Sequence, residues 1–98
     1  MTEREELQAS LVKSGVPAHI HDALIGYVVD HAHVGGFLQA VLSNNLFRSF
    51  AEADDENLAH LFDILKWVFN EAPGNCWGSP DTVRAWLVQR PVAAEAHE

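Results

Sequence analysis

The spacing of the apolar side chains is the feature that most restricts the fold of this chain. Apolar residues recur every three or four positions nearly throughout the 98 residues, and alternation of β-branched residues is nearly absent. That period places side chains on one face of an α-helix. The pattern therefore predicts an all-α fold, a compact irregular bundle of five or six short helices with no sheet.

Local signals place the helix ends. Thr2 and Glu5 have the spacing of a capping box, and Asn45 and Ser79 each precede a helical pattern as N-cap residues do. The acidic run Asp54-Asp55-Glu56 stands at an expected helix start, where the partial positive charge of the N-terminus favours it. The second helix is expected to begin after Pro17 and to end by Gly35-Gly36, a turn whose glycines take positive φ or allow close approach. We expect residues 1–90 to form one helical domain and residues 91–98 to form a flexible tail.

The clearest apolar stripe follows Asp54 and predicts one central helix that ends at Pro73-Gly74. Its expected core-facing positions are Leu58, Leu61, Phe62, Leu65, Val68 and Phe69. Trp67 and Trp86 sit beside core positions at helical spacing, so we expect both in the core.

Charge and composition exclude several classes of protein. Six Lys and Arg against fourteen Asp and Glu give a net charge of −8, which argues against direct binding of nucleic acid. The single cysteine forms no internal disulfide, the start MTEREELQ is too polar for a secretory signal, and no apolar run approaches the roughly 20 residues of a membrane span. These features predict a cytoplasmic protein that binds no membrane.

The histidines suggest a metal site as an alternative function. Four of them lie in two pairs, His19 with His21 and His31 with His33, and Asp22 and Asp30 lie beside them. On a single helix the pairs would lie about 18 Å apart, too far for one ion. His19 with Asp22, or Asp30 with His33, would supply two ligands each and would need more from His60 or a second subunit. The structural interpretation is that these histidines face solvent.

The sequence lacks the residue patterns of an enzyme or of a cofactor site. Cys76 precedes the Ser79 cap but has no histidine close in sequence, so we interpret it as a small buried hydrophobe. Gly35-Gly36 lacks the pattern of a phosphate loop, and the acidic run at Asp54 lacks the later ligands of a calcium loop. We therefore predict a protein that is not an enzyme and holds no cofactor.

The aromatic side chains suggest a surface for protein binding. Trp77 follows Cys76 in a loop between two helices, and an exposed tryptophan there would be a typical hot-spot residue. Phe47 and Phe50 could extend an apolar patch beyond what a small core buries. In the alternative, Trp77 folds back over the last helix and its indole N–H bonds a loop carbonyl.

The segments FLQAVLSNNL, AEADDENLAHLF and VFNEAPGNCWGSPDTVRAWL resemble a family of short proteins from bacterial phages, prophages and other mobile elements. The similarity runs from about Val16 to Leu87 and includes Asn44-Asn45 and the stretch Trp77 to Pro80. No activity is attached to that family. The resemblance implies a small cytosolic accessory protein that acts by binding a host or phage protein.

The leading hypothesis is therefore a non-enzymatic interaction module, as a monomer or a homodimer, with an unidentified protein partner. Trp77, Phe47 and Phe50 are its candidate contact residues. Metal binding through the histidines is the first alternative. The second is an acidic inhibitor that competes with nucleic acid for a nucleic-acid-binding protein.

Overall fold

The computed structural model describes residues 2–89, and within that range the chain is helical with no β-strand. Seven α-helices follow one another there: α1 (Glu3–Lys13), α2 (His21–Asp30), α3 (Gly36–Leu42), α4 (Leu46–Glu52), α5 (Asp55–Ala59), α6 (Leu61–Glu71) and α7 (Pro80–Leu87). A short 3₁₀ helix, Ala18–Ile20, leads into α2. The all-α prediction is confirmed, although the predicted count of five or six helices is too low. The tail expected at 91–98 lies outside the described residues.

Side-chain caps start the helices where the sequence predicts them. Thr2 and Glu5 form the reciprocal capping box of α1. Asn45, Asp54 and Ser79 each accept a hydrogen bond from the backbone N–H three residues further on, at the starts of α4, α5 and α7. These bonds satisfy donors that a helix N-terminus leaves unpaired.

The predicted central helix is two helices, because the chain leaves helical geometry at His60. This residue has φ −114° and ψ 19°, so α5 ends before it and α6 begins after it. Its ring lies 3.2 Å, from Nδ1 to Oδ2, from Asp63 in the first turn of α6. No glycine or proline marks the position, and the sequence therefore gives no local sign of the break.

The second helix ends earlier than the sequence suggests. α2 stops at Asp30 because His31 takes the left-handed conformation, with φ 56° and ψ 36°. Gly35 and Gly36 do not take positive φ, so the first of the two reasons expected for glycine at this turn does not apply. The expected close approach is found at Gly36, where a Cβ atom would collide with the carboxylate of Glu52 in α4.

The core is formed by helix pairs that are adjacent in sequence and by pairs that are far apart in sequence. α1 packs on α2 and α3 on α4, while α6 returns to α1 and α7 returns to α3. Trp67 and Trp86 are buried as predicted, and the indole N–H of Trp67 donates to Ser10 Oγ at 2.8 Å. The largest fully buried apolar side chains are Trp67, Tyr27, Leu11, Leu24, Leu42 and Ile64. Burial of each contributes about 1.5–3 kcal/mol.

The core-facing side of α6 differs from the predicted stripe. Its buried residues are Ile64, Trp67 and Val68. Phe62 and Phe69, both expected in the core, are each 70% exposed. Leu58 of α5, from the same predicted stripe, is exposed as well. One aromatic side of α6 is therefore left facing solvent.

Candidate protein-binding surface

Helices α4 and α6 present the largest exposed apolar side chains of the described region. On α4, Phe47 is 86% exposed and Phe50 is 59% exposed. On α6, Phe62 and Phe69 are equally exposed at 70%. Single exposed apolar side chains are ordinary, but four phenylalanine rings on two helices form an unusual concentration for so small a domain.

A groove connects these two helices. It encloses about 260 Å³ and is lined by Val41, Asn44, Asn45, Leu46, Ser49 and Leu65. Leu46 belongs to α4 and Leu65 to α6, so the groove lies between the two helices. Phe50 lies one helical turn from Leu46 on α4, and Phe69 lies one turn from Leu65 on α6, so each of these rings is the helical neighbour of a groove residue.

We call this surface the aromatic groove. The name covers the groove residues Leu46 and Leu65 together with the exposed phenylalanines of the same two helices, which are Phe47 and Phe50 on α4 and Phe62 and Phe69 on α6. Phe47 and Phe50 were candidate contact residues from the sequence, and both are exposed. The sequence interpretation missed Phe62 and Phe69 because it assigned them to the core.

Trp77 stands behind Phe69 rather than alone on the surface. Its ring meets Phe69 edge-on, with 6.0 Å between centroids and an interplanar angle of 62°. The side chain is partly buried against the core. Its Nε1–H is buried and makes no hydrogen bond within residues 2–89, so the expected bond to a loop carbonyl is absent from this region. Trp77 thus supports the groove through Phe69.

The loop that carries Trp77 is fixed at two points. The hydroxyl of Tyr27 donates to the carbonyl of Cys76 at 2.6 Å, and Gly78 N–H donates to the carbonyl of Leu42 at 2.8 Å. Tyr27 is fully buried, so its bond is shielded from water. The stretch around Cys76 is therefore a structured connector between α6 and α7.

Cys76 is inside the protein, as predicted. Its exposure is 0%, and burial raises the pKa of the thiol to about 11. Burial also raises the pKa of the Tyr27 hydroxyl. A nucleophilic cysteine has a lowered pKa and access to substrate, and Cys76 has neither.

Lys66 is the one basic residue on the exposed side of α6. It lies between Phe62 and Phe69 along the helix, and its Nζ is 5.4 Å from the centroid of the Phe62 ring. It forms no ion pair with a carboxylate of residues 2–89. In the same region three other basic side chains do form ion pairs: Arg4 with Asp30, Arg48 with Glu52, and Arg84 with Asp81.

His19 is engaged by two carboxylates from a different part of the chain. Its Nε2 lies 3.1 Å from Asp54 Oδ2, and its Nδ1 lies 3.3 Å from Glu56 Oε1. Both ring nitrogens thus face a carboxylate, so neither nitrogen is free for a metal. The backbone N–H of Asn57, and then His19, hold the pKa of Asp54 below its usual value.

The other metal candidates are not brought together. Asp30 pairs with Arg4, while Asp22 and His33 form no ion pair in the described region. Across residues 2–89 no group of three or more His, Cys, Asp or Glu side chains is placed to hold a metal ion. The pairs His19–Asp22 and Asp30–His33 therefore do not form here.

Two histidines have structural roles that the sequence interpretation missed. His21 is buried, where its Nε2–H donates to the Val16 carbonyl at 2.7 Å and its Nδ1 accepts from Gln8 at 2.9 Å. His31 donates from Nδ1 to the carbonyl of Trp86 at 2.8 Å and stacks on that indole at 3.9 Å between centroids. The expectation that both face solvent is wrong. Periodicity could have revealed His21, which shares one helix face with buried residues three, four and seven positions on.

The largest cavity among those described has a different character. It holds about 410 Å³ between α1 and α2 and is lined by Arg4, Glu5, Gln8, Ala9, Asp22 and Ile25. Its only guanidinium already pairs with Asp30. No cysteine, serine or histidine side chain lines it, so it contains none of the usual nucleophile–base pairs.

Comparisons with known proteins give no relative for this chain: no family model, no curated protein and no solved structure matches it. Within the described residues, no helix combines the length and the apolar character that crossing a bilayer requires.

Proposed function

We propose that this protein is a non-enzymatic protein–protein interaction module that binds its partner through the aromatic groove. The observation that carries the proposal is the exposure of four phenylalanine rings on α4 and α6, the two helices that contribute Leu46 and Leu65 to one groove. At roughly 200 Å² per ring, they leave on the order of 600 Å² exposed. The summed area of the four rings approaches the ~800 Å² that each partner buries in a standard interface.

The energetics of this surface suit reversible binding. Covering about 600 Å² of apolar area contributes on the order of 15 kcal/mol at about 25 cal/mol per Å². Lost translational and rotational freedom costs about 4–15 kcal/mol, and ordering of side chains adds to that cost. The groove shape suits an apolar helix face or projecting aromatic side chains, which are the usual occupants of such clefts.

The chemistry of the described residues supports the part of the proposal that the protein is not an enzyme. The only cysteine is buried with a raised pKa, Ser79 serves as a helix cap, and His21 and His31 bond to backbone carbonyls. The acidic run at Asp54 is used for a helix cap and for binding His19. The acidic-inhibitor and metal hypotheses stay predictions without a supporting site.

A capture experiment with matched variants tests the proposal. Tagged wild-type protein, Phe69→Lys and Val88→Lys would be compared for proteins captured from the native host. Val88 is 79% exposed and lies outside the groove, so it controls for a new lysine at an apolar surface position. We expect the wild type and Val88→Lys to capture a partner protein that Phe69→Lys does not capture. The purified partner should also bind the purified wild-type protein when the two are mixed. A partner held equally by all three would refute the groove as the binding surface.

We also propose, from the motif resemblance alone, a cytoplasmic accessory role in a phage or other mobile element. The supporting residues are the FLQAVLSN segment and the stretch from Asn75 to Pro80. The test is the genomic neighbourhood of the coding sequence. Neighbours that encode integrases, capsid or replication proteins would support the role, and a neighbourhood of housekeeping genes would count against it.

A further inference from the structure

We propose that a cleft between α3, α4 and α7 binds a small organic anion through two arginine side chains. The cleft encloses about 140 Å³, and its polar lining consists of Gln39, Ser43, Asn45, Arg48 and Arg84. We call it the arginine cleft. Of its lining within residues 2–89, only Asn45 also lines the groove between α4 and α6, so this site goes beyond the proposed protein-binding surface.

The charges that line the cleft are the reverse of those of the whole chain. The sequence has six Lys and Arg against fourteen Asp and Glu, yet two arginines and no carboxylate line the cleft within residues 2–89. Guanidinium groups match carboxylate and phosphate oxygens in geometry as well as in charge. The net charge of −8 opposes the approach of an anion, but charges further away than about 8 Å are largely screened at physiological salt.

Both arginines keep hydrogen-bond donors for a ligand although each already forms an ion pair. Arg48 uses Nε to bond Glu52 at 2.7 Å, and Arg84 uses one terminal nitrogen to bond Asp81. A guanidinium carries several further N–H groups. Asn45 accepts the Arg48 backbone N–H at its Oδ1, so its side-chain NH₂ group is left as a donor. Glu52 and Asp81 therefore orient the two guanidinium groups without lining the cleft.

The remaining wall of the cleft is apolar. Pro80, Val83 and Leu87 line it from one face of α7, at spacings of three and four residues. The enclosed volume of about 140 Å³ is close to that of a cavity of about 150 Å³ that holds benzene. The cleft thus matches a ligand with one carboxylate or phosphate group on an apolar body about the size of a single ring.

Backbone hydrogen bonds fix the helices that form the cleft. Asn45 N–H donates to the Ala40 carbonyl at 2.9 Å, which holds the start of α4 against α3. Gly78 N–H donates to the Leu42 carbonyl at 2.8 Å, which holds the segment before α7 against the end of α3. Because the cleft is formed before a ligand arrives, binding loses little conformational entropy of the backbone.

A titration followed by nuclear magnetic resonance tests the proposal. Benzoate, phenyl phosphate and benzamide would each be added to the isotope-labelled protein while the backbone amide signals are recorded. Benzoate and phenyl phosphate carry the two kinds of oxyanion, and benzamide carries the same ring without a charge. We expect saturable shifts around Ser43, Arg48 and Arg84 with a Kd of about 1 mM for at least one of the two anions, and little change with benzamide.

Arginine variants locate the binding. Arg48→Gln and Arg84→Gln should each weaken anion binding at least ~5-fold, because each removes a charge-assisted hydrogen bond. Arg4→Gln is the matched control, since Arg4 is also an exposed arginine in an ion pair, with Asp30, but lies outside the cleft. Its anion affinity should equal that of the wild type. The three ion pairs are exposed, so the thermal midpoints of all variants should stay close to that of the wild type.

Three results would overturn the proposal. The first is a wild type that shows no saturable shifts with either anion up to ~50 mM. The second is benzamide binding as tight as that of the anions, since the charge would then not be recognised. The third is an equal loss of affinity in Arg4→Gln, which would indicate a general effect of charge. Capture of a protein by the aromatic groove is measured separately, so failure of the anion site leaves the proposed function standing.

Discussion

Replacement of Tyr27 by phenylalanine tests what fixes the loop behind the aromatic groove. The change keeps the buried ring and removes only the hydroxyl, which donates to the Cys76 carbonyl at 2.6 Å. The carbonyl is then left buried without that donor, a loss that costs about 1–3 kcal/mol. For a domain of this size, each kcal/mol corresponds to a fall in Tm of about 4–8 °C.

Two measurements report the effect of losing the hydrogen bond between Tyr27 and Cys76. Urea unfolding monitored by circular dichroism gives the change in unfolding free energy, and the rate of reaction of Cys76 with a thiol reagent reports opening of the loop. At about 1.4 kcal/mol per tenfold, we expect the thiol to react roughly 5- to 150-fold faster. The rate is informative because the side chain is fully buried in the closed state.

Ile64→Val is the matched control. This residue is also fully buried, and the change should cost about 0.5–1.5 kcal/mol without touching the loop. At equal loss of stability, Tyr27→Phe should expose Cys76 more than Ile64→Val does. An unchanged unfolding midpoint together with an unchanged thiol rate in Tyr27→Phe would show that the hydroxyl does not hold the loop.

Changes at three further positions test the caps, the pH response and the core. Ser79→Ala removes the acceptor for the Thr82 N–H and should lower unfolding free energy by about 1 kcal/mol, whereas Ser79→Asp should leave it nearly unchanged in the same urea titration. The pKa of Asp54 is lower in the folded state than in the unfolded state. Its ionised carboxylate therefore stabilises the fold at pH values above the unfolded pKa of about 3.9. This stabilisation is lost as the pH falls through the folded pKa. Asp54→Asn keeps a capping side chain but removes the charge. The difference in unfolding free energy between wild type and Asp54→Asn should therefore be present at about pH 7 and shrink towards about pH 2.5. A difference that stays constant with pH would contradict a lowered pKa for Asp54. Trp67→Ala should cost about 3–5 kcal/mol, enough to remove most of the cooperative thermal transition of a small domain.

Helix starts were predictable because their causes lie within four residues. The Thr2–Glu5 box and the Asn45, Asp54 and Ser79 caps each bond a backbone group in the next turn. A short sequence window contains every atom that matters for such a bond. The all-α class was predictable for the same reason, since the helical period is a local property.

The buried face of α6 was not predictable in the same way. Leu61, Phe62, Ile64, Leu65, Trp67, Val68 and Phe69 are all apolar, and they cover most of the helix circumference. The apolar period of such a sequence fits more than one face of the helix. Which face is buried is decided by the helices that pack against α6. The break at His60 then changes the phase between Leu58 and the residues of α6. A single continuous stripe placed Phe62 and Phe69 on the wrong side.

The candidate site depends on contacts that sequence spacing does not reveal. Phe47 and Phe50 were identified because a small core cannot bury every large aromatic side chain. The groove itself needs Leu65 from α6 beside Leu46 from α4, and Trp77 reaches Phe69 from the following loop. His19 meets Asp54 35 residues away, so its carboxylate partners could not be selected over the nearby Asp22. Proximity in sequence favoured the pair of His19 with Asp22, whereas His19 contacts Asp54 in the structure.

The links between α2 and α7 also determine when during synthesis this protein can finish folding. Trp86 donates to the Tyr27 carbonyl, and its own carbonyl receives the His31 hydrogen bond. A ribosome adds residue 27 long before residue 86, so the end of α2 waits without these partners while most of the chain emerges. Until then, the exposed apolar surfaces of the early helices are available to chaperones or to neighbouring nascent chains. A chain released just before Trp86 would carry nearly every helix and still lack the bonds that join the end of α2 to α7.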